Sequence, residues 1–214
     1  MIISRVMTRN PIFIHPDISI NEVRALMDKE KIGHLPVLDK NSNLVGLLTK
    51  KDLLKAGPSP ATSLDMYEIS YLISKMIAKD VMEKAVITVG ENEVVEEAAR
   101  IMADNSIGCL PVMRGKRLVG IITDTDLFHV FLNAFGARHP GVRITCTLVE
   151  EPGQLAKLSG AIAEKGGNIV AFVTAEGDDL SRRRATIKVA GISLENAESI
   201  IKGFDDMELE DIRE

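Results

Sequence analysis

The chain has 214 residues, of which 45% are apolar, and a formal net charge of -5 at pH 7. A chain of this length and composition can bury a hydrophobic core, which excludes a largely disordered protein. The acidic balance removes the positive field that would hold a polyanion, so nucleic acid is not an expected partner.

Apolar runs stay too short for a membrane span, and residues 1–5 lack the shape of a signal peptide. We therefore expect a cytoplasmic protein with no membrane partner. Cys109 and Cys146 stand far apart in apolar, strand-like runs. We expect two buried free thiols, no disulfide and no metal site.

The first predicted unit has the order strand, helix, strand, strand, helix. Ile12 to Ile14 predicts a short strand, and Val23 and Met27 belong to an apolar stripe at helical spacing. Turn residues at 39–43 separate two further strands. The second of these, Leu44 to Leu48, passes directly into the next helix.

A connector is expected after this unit. Residues 57–63 are rich in Gly, Pro and Ser, and Met66 to Ile77 shows the apolar period of a helix. The expected organisation is a first repeat at 1–60, a helical connector at 61–80, a second repeat at 81–136 and a separate domain at 142–214.

The sequence contains an internal repeat. Val6 to Val37 matches Val81 to Val112 at an offset of 75, and Leu44 to Leu53 matches Leu118 to Leu127 at an offset of 74. Chance does not produce such a match over two segments. Neither copy is large enough to bury both faces of its sheet, so we expect the two copies to pair.

Each copy ends in a Gly, two apolar residues, a Thr, two further residues and an Asp. These are Thr49 with Asp52, and Thr123 with Asp126. One interpretation is a helix capping box, worth about 1 kcal/mol per helix. The other is a ligand site, because a helix start favours phosphate and a carboxylate can accept both ribose hydroxyls. The two interpretations do not exclude each other.

Residues Val6 to Val130 resemble the CBS-domain pairs, or Bateman modules. Both copies carry the Val-Met opening, a Gly-x-Leu-Pro-Val strand and the Thr–Asp ending at matched spacing. The resemblance implies that Asp52 and Asp126 hold ribose hydroxyls and that Thr49 and Thr123 reach phosphate or ribose. It also implies an adenine slot lined by Ile14, His15, His34, Leu35, Pro36, Thr88, Val89, Cys109, Leu110 and Pro111.

The two copies differ in charge beside the Asp. Copy one has Lys51, which can meet a phosphate, whereas copy two has Thr125 and an additional acid, Asp124. A second carboxylate near a phosphate is unfavourable. We therefore expect a multiply charged ligand at Thr49 and Asp52, and an empty site or a less charged ligand in copy two.

The C-terminal region predicts the order βαββαβ, the ferredoxin-like arrangement. The predicted elements are a strand at 144–149, a helix after Pro152-Gly153, strands at 168–174 and 183–189, a helix at 194–204 and a strand at 207–212.

Residues 151–158 and 167–169 resemble the ACT-domain family, which often binds amino acids at paired interfaces. The resemblance maps the binding loop onto Pro152, Gly153 and Gln154, with Asn168 as a partner. The alternative interpretation is structural: Pro-Gly begins a helix and Asn168 is a turn residue. A homodimer through this domain is expected.

The whole layout, an α/β (α+β) chain with a tandem CBS pair and a ferredoxin-like ACT domain, resembles the acetoin-utilisation AcuB type. The chain carries no dinucleotide fingerprint, P-loop, HExxH or GxSxG motif, so we expect no enzyme and no catalytic cofactor. The hypothesis is a regulatory sensor of an adenine nucleotide that biases the ACT-like domain or a partner protein. A structural oligomerisation module with vestigial clefts, and a sensor of S-adenosylmethionine or an amino acid, are the alternatives.

Overall fold

The computed structural model describes residues 1–56, 65, 67–68, 71, 75–177 and 179–214. The chain divides into two compact units, Met1–Leu127 and Phe128–Glu214. Across these described ranges, every helix is too short or too polar to cross a lipid bilayer.

The first unit contains the same arrangement of strands and helices twice. Its elements are a 3-10 helix at Ile3–Arg5, β1 at Thr8–Arg9, α1 at Ile20–Glu30, β2 at His34–Leu38, β3 at Leu44–Thr49, α2 at Lys50–Lys55, α3 at Ala78–Val81, β4 at Val89–Gly90, α4 at Val95–Asn105, β5 at Cys109–Arg114 and β6 at Arg117–Thr123. Helix α5, Asp124–Ala134, begins in this unit and continues into the second.

Helix α1 shows why the predicted helices form. Ser19 caps its first turn by accepting from the Glu22 amide at 3.2 Å, and the Glu22 carboxylate accepts from the Ser19 amide at 3.1 Å. The helix ends at Lys31, whose φ of 55° places it in the left-handed region. The apolar stripe buries Val23 and Met27 against the hairpin of β2 and β3, as the spacing predicts.

The N-terminal segment of each copy crosses over to the other copy. Strand β1 pairs antiparallel with β6 through Thr8 and Ile121. Glu83 and Leu47 hold the equivalent positions and exchange two backbone hydrogen bonds of 2.9 Å. The two copies therefore pair, as their small size predicts, by a reciprocal exchange of their openings.

The strand predicted at Ile12 to Ile14 is wrong in extent. Only Ile14 makes a parallel bridge, to Val37, while Ile12 and Phe13 are 41% and 47% exposed. The Ile14 amide donates to the Pro36 carbonyl at 3.0 Å, and the Leu38 amide donates to the Ile14 carbonyl at 2.9 Å. In residues 12–14, the backbone therefore pairs with β2 only at Ile14.

Half of the connector predicted at 61–80 falls outside the described residues, and so does the whole of the predicted loop at 57–63. Its described end packs onto copy one. The Ile20 amide donates to the Met76 carbonyl at 3.1 Å, and the Ala78 amide donates to the Ile18 carbonyl at 2.9 Å. Ala78 is fully buried in the core of that copy.

The second unit is the predicted ferredoxin-like βαββαβ domain. Its elements are β7 at Val142–Val149, α6 at Gln154–Glu164, β8 at Asn168–Glu176, β9 at Arg182–Ala190, α7 at Leu194–Lys202 and β10 at Met207–Arg213. The sheet order is β10-β7-β9-β8, with every neighbouring pair antiparallel. The fold prediction is confirmed.

One face of this sheet forms the core with α6 and α7. Alternate residues of β7, namely Ile144, Cys146 and Leu148, are at most 2% exposed. They pack in one cluster with Leu158 of α6 and Ile201 of α7. The period of two along the strand and the helical spacing of the apolar positions explain this layer.

Candidate functional site

Both Thr–Asp pairs form the predicted capping boxes. In copy one, the Thr49 amide and hydroxyl donate to Oδ2 of Asp52 at 2.9 and 2.7 Å, and the Asp52 amide donates to the Thr49 hydroxyl at 3.3 Å. In copy two, the corresponding distances between Thr123 and Asp126 are 2.8, 2.8 and 3.3 Å. The caps explain both pairs locally and leave open whether either also binds a ligand.

A cleft of about 670 Å³ lies beside the first of these boxes, between the two copies. It is lined by Gly33, His34, Leu47, Thr49, Lys50, Lys51, Asp52, Lys55, Glu83, Ala85, Val86, Ile87, Asn105, Ser106, Ile107, Gly108 and Cys109. Strand β3 and helix α2 of copy one form one wall. The opening of copy two and the entry to β5 form the other.

This cleft brings together five of the residues singled out from the sequence, Thr49, Lys51, Asp52, His34 and Cys109. The remaining ten predicted nucleotide contacts do not line it. They are Thr123, Asp126, Ile14, His15, Thr88, Val89, Leu35, Pro36, Leu110 and Pro111.

The predicted contacts Leu35, Pro36, Leu110 and Pro111 stay predictions, and strand geometry explains why Leu35 and Leu110 do not line this cleft. Side chains alternate between the two faces of a strand, so the residue after His34 turns away from the cleft. Leu35 and Leu110 have no exposed surface and belong to the core. Pro36 and Pro111 are also buried, and each lies one residue after the leucine on its strand.

The predicted first-strand contacts, Ile14, His15, Thr88 and Val89, lie outside this cleft and stay predictions. Ile14 and Val89 are 3% and 7% exposed. Ile14 bridges to β2 and Val89 pairs with β5, and both side chains are buried. His15 Nδ1 bonds to the Leu38 carbonyl at 2.9 Å instead, and Thr88 is exposed outside the cleft. The cleft uses the segment just before these residues, 85–87.

Segment 85–87 could not be predicted as part of the cleft, because no local sequence pattern shows that the opening of copy two crosses over copy one. Val86 packs beside Leu47, Cys109 and Ile121 in a small cluster that joins the two copies. Once the crossing at Glu83 is known, the lining by residues 85–87 follows. The usable signal is the repeat offset, which pairs Glu83 with Thr8 of β1.

His34 and Cys109 occupy equivalent positions in the two copies and both line the cleft. Burial lowers the pKa of the His34 imidazole, although the carboxylates of Asp124 and Asp52 act in the opposite direction. Burial, together with the same two carboxylates, raises the pKa of the Cys109 thiol to about 12. At neutral pH the centre of the cleft therefore holds a neutral imidazole and an intact thiol.

The cleft offers three kinds of contact in one cavity. Leu47, Val86 and Ile107 supply apolar surface for a planar ring, and Lys51 supplies a cation. The cap uses only Oδ2 of Asp52; in the described part of the chain, Oδ1 has no hydrogen-bond donor. A carboxylate has about four acceptor sites, so Oδ1 can accept from vicinal hydroxyls without breaking the cap.

The second unit has a recess of about 430 Å³ at the end of β7. Pro152 and Gly153 line it, together with Glu150, Thr174 and Arg183. Arg183 donates to the Glu150 carboxylate across its rim. Gly153 has a φ of 95°, a backbone conformation that favours glycine, and it stands directly before α6.

The structure separates Gln154 and Asn168 from this recess. Gln154 is 3% exposed, and its amide nitrogen donates to Oδ2 of Asp206 at 2.6 Å, so it ties α6 to the loop before β10. Asn168 begins β8 opposite Ala190, whereas the recess lies where β7 ends opposite Arg182. Within one chain, Asn168 stands at the other end of the sheet from Pro152.

Comparisons with known proteins match both units. The CBS domain family matches residues 3–59 and 78–133, and the TTHA0829-like ACT domain matches residues 140–213. The curated, uncharacterized protein MJ1404 of Methanocaldococcus jannaschii is 35% identical over 128 residues, which are 58% of this chain and 30% of that protein. The chain therefore spans less than a third of that relative's length.

Three solved structures resemble the CBS pair. A putative acetoin utilization protein (AcuB) from Vibrio cholerae is 31% identical, with 65% of this chain and 98% of that chain covered and a TM-score of 0.54. The CBS pair of MJ0100, solved with 5'-methylthioadenosine and S-adenosyl-L-methionine, is 29% identical, with 65% and 98% covered and a TM-score of 0.53. CBSX2, solved with AMP, is 29% identical, with 61% and 96% covered and a TM-score of 0.50.

The CBS family model covers both copies of the repeat, and the ACT model covers the second unit with its βαββαβ order. CBS and ACT domains are regulatory modules. The chain belongs to the CBS-domain family, with two CBS repeats followed by an ACT domain of the TTHA0829-like type.

Proposed function

We propose that this protein is a non-catalytic sensor that binds an adenine nucleotide in the cleft beside Thr49 and Asp52. The AMP and S-adenosyl-L-methionine complexes of the similar CBS pairs support an adenosine-containing ligand. The nucleotide acts as a regulatory ligand and undergoes no reaction. The proposed setting is cytoplasmic, and the proposed assembly is a homodimer.

The observation that carries this proposal is the composition of the cleft. Lys51, Asp52 and the apolar side chain of Ile107 line one cavity of about 670 Å³, although they come from different repeats. A volume of this size lies within the range typical of small-molecule sites, about 300–1,000 Å³. Capping alone requires Thr49 and Asp52 but requires neither the lysine nor a cavity.

The proposed mechanism is a population shift between arrangements of the two repeats. One wall of the cleft belongs to copy one and the other wall to copy two. Glu83 lines the cleft and also exchanges backbone hydrogen bonds with Leu47 of the other copy. A ligand that contacts both walls stabilises the arrangement in which they are close. The bias passed to the ACT domain or to a regulated partner protein is limited by the difference in ligand affinity between arrangements.

The main alternative is a structural module with a vestigial cleft. The observation that favours it is that a capping box by itself explains a Thr and an Asp at these two positions, and the same box forms at Thr123 and Asp126. This alternative predicts no saturable binding of any adenosyl compound.

Thermal unfolding with a panel of adenosyl ligands tests the proposal, because a ligand that binds only the folded protein raises its apparent stability. We expect a saturable upward shift with an adenine nucleotide, and we expect Asp52→Ala to abolish it. Asp126→Ala is the matched control, since it loses the same cap in the other copy and should keep the shift. The absence of any shift in the wild type would support the structural module, whereas an equal loss in both variants would contradict a site that depends on Asp52 alone.

A further inference from the structure

Cations are concentrated at one end of the four-stranded sheet β1-β6-β5-β4. Arg114 ends β5 and Arg117 begins β6, and the strand register places these two residues directly opposite each other. Lys116 lies in the turn between them, and Arg9 ends the neighbouring strand β1. All four side chains belong to exposed residues. We call this surface the basic tip; it contrasts with the net charge of -5 of the whole chain.

Two acids lie beside the basic tip, and one of them is held by an arginine. Arg114 donates to the Glu91 carboxylate through Nε and, at 2.6 Å, through Nη2. This hydrogen bonding is the main cause that lowers the pKa of Glu91, and the charge of Arg9 acts in the same direction. Glu93 lines a groove with Arg114, and its carboxylate accepts from the following backbone amide at 2.9 Å. Glu91 therefore shows that a carboxylate fits an arginine fork at this end of the sheet.

The other three cations have no carboxylate partner in the described part of the chain. Lys116 and Arg117 make no side-chain hydrogen bond or ion pair there. Arg9 donates from Nη2 to the Ser4 carbonyl at 2.5 Å, which leaves its other donors available. The basic tip therefore carries positive charge that this part of the chain does not neutralise.

The cations disfavour the turn that carries them. Like charges directly opposite each other on antiparallel strands are destabilising, which applies to Arg114 and Arg117. The turn requires only Gly115, whose φ of 59° favours glycine. Copy one has Asp39 at the position of Arg114, and the Asp39 carboxylate stabilises its own turn by accepting from two backbone amides at 2.8 Å each. Because the equivalent turn folds without cations, the fold does not explain the basic tip, and binding of an anion does.

The number and kind of these cations favour carboxylates over a polyanion. The basic tip has four cations with two acids beside them. Nucleic-acid sites often neutralise about 6–10 phosphates, and lipid-binding segments carry clusters of about 4–8 basic residues without such acids. Three of the four cations are arginines, whose planar fork binds a carboxylate through two hydrogen bonds. A short acidic segment of a protein therefore fits this surface.

We propose that the basic tip docks an acidic segment of a partner protein, with Arg9 and Arg117 each binding a carboxylate and Lys116 adding positive charge. In the described part of the chain, none of these residues lines the cleft beside Thr49, so the inference does not depend on nucleotide binding. The attraction is between exposed charges, so it weakens as the salt concentration rises.

Fluorescence anisotropy with a labelled hexaglutamate peptide tests this at low and high potassium chloride. We expect saturable binding at low salt that is lost at high salt, and no binding of hexaglutamine. Arg9→Ala/Arg117→Ala should weaken binding by roughly three- to thirtyfold. The matched control is Lys40→Ala/Lys84→Ala, which removes the same charge from exposed positions of the opposite turn and opening and should bind normally. In urea unfolding, Arg117→Ala should be at least as stable as the wild type, because it removes the repulsion from Arg114.

Four results would overturn the proposal. The first is no saturable binding of hexaglutamate, and the second is an equal loss in the two double variants, which would reduce the effect to net charge. The third is tighter binding of phosphatidylserine vesicles or duplex DNA than of the peptide, which would assign the surface to another class of partner. The fourth is a clear loss of stability in Arg117→Ala, which would give that arginine a role in the fold.

Discussion

The side chain of Met82 lies over Gly46 and occupies the space that a Cβ on that residue would need. Met7 has the same relationship to Gly120. Each methionine comes from the opening of one copy, and each glycine lies on a strand of the other. The Val-Met opening and the glycine before the Thr–Asp pair are thus two halves of one contact between the repeats.

This contact predicts that Gly46→Ala destabilises the protein by about 1–3 kcal/mol, the usual cost of overpacking. The Met82 side chain could move, but the Glu83 carbonyl, 3.1 Å from the added carbon, is held by its hydrogen bond to Leu47. Urea unfolding measures the loss. Gly90→Ala is the control, because nothing lies within 4 Å of a Cβ at Gly90. Equal stability of the two variants would contradict the packing argument.

His34 predicts a pH dependence of stability. Burial lowers its pKa in the folded protein, so the unfolded chain binds the proton more readily. The free energy of unfolding should therefore fall as the pH drops from about 7 to about 5.5, through the ordinary histidine pKa. Asp124 and Asp52 oppose this effect and limit its size.

Urea midpoints across this pH range, for the wild type and His34→Gln, measure that contribution. The variant should show a shallower dependence, since Gln carries no titrating group. The carboxylates whose pKa is lowered, such as Asp39, lose their contribution only at lower pH. An identical slope in both proteins would show that His34 titrates normally.

The two thiols should be unreactive in the folded protein. Burial is the main cause that raises the pKa of Cys109 to about 12 and that of Cys146 to about 11. Because the thiolate is the reactive form, a disulfide reagent at pH 8 should modify both slowly before unfolding and rapidly in urea. Cys146→Ala isolates the signal of Cys109. Rapid modification of Cys109 in that folded variant would contradict its burial beside the cleft.

The buried amide of Gln154 predicts a structural role for Asp206. Asp206→Ala should destabilise the protein by about 1–3 kcal/mol, because it leaves the Gln154 amide buried without an acceptor. Asp206→Asn keeps an acceptor and should lose less. Asp205→Ala, at the exposed neighbour, is the control. If Asp206→Ala were as stable as that control in urea unfolding, the tie between α6 and β10 would carry no energy.

Local patterns predicted the elements of both units well. The apolar spacing around Val23 and Met27 predicts α1, and the alternation from Ile144 to Val149 predicts β7, because these periods reflect burial of one face. The capping interpretation of Thr49 and Asp52 is local in the same way, since both partners lie within one helical turn. Such features depend on residues that are neighbours in the chain.

The composition of the cleft depends on contacts between distant segments and could be predicted only in part. Segment 85–87 lines the cleft because Glu83 pairs with Leu47 across the repeat interface. This pairing depends on how the surfaces of the two copies fit together, which hydrophobic periodicity does not show. The same holds for Asn168, whose distance from Pro152 follows from the sheet order. A repeat offset shows which positions are equivalent but not which surfaces meet.

Equilibrium dialysis with labelled ATP measures directly whether one adenine nucleotide binds beside Thr49 and Asp52. We expect saturation near one molecule per chain for the wild type and for Asp126→Ala, and loss of binding in Asp52→Ala. Binding that survives in Asp52→Ala but is lost in Asp126→Ala would place the site in the other copy, and no saturable binding in any of the three proteins would rule out the proposed nucleotide site.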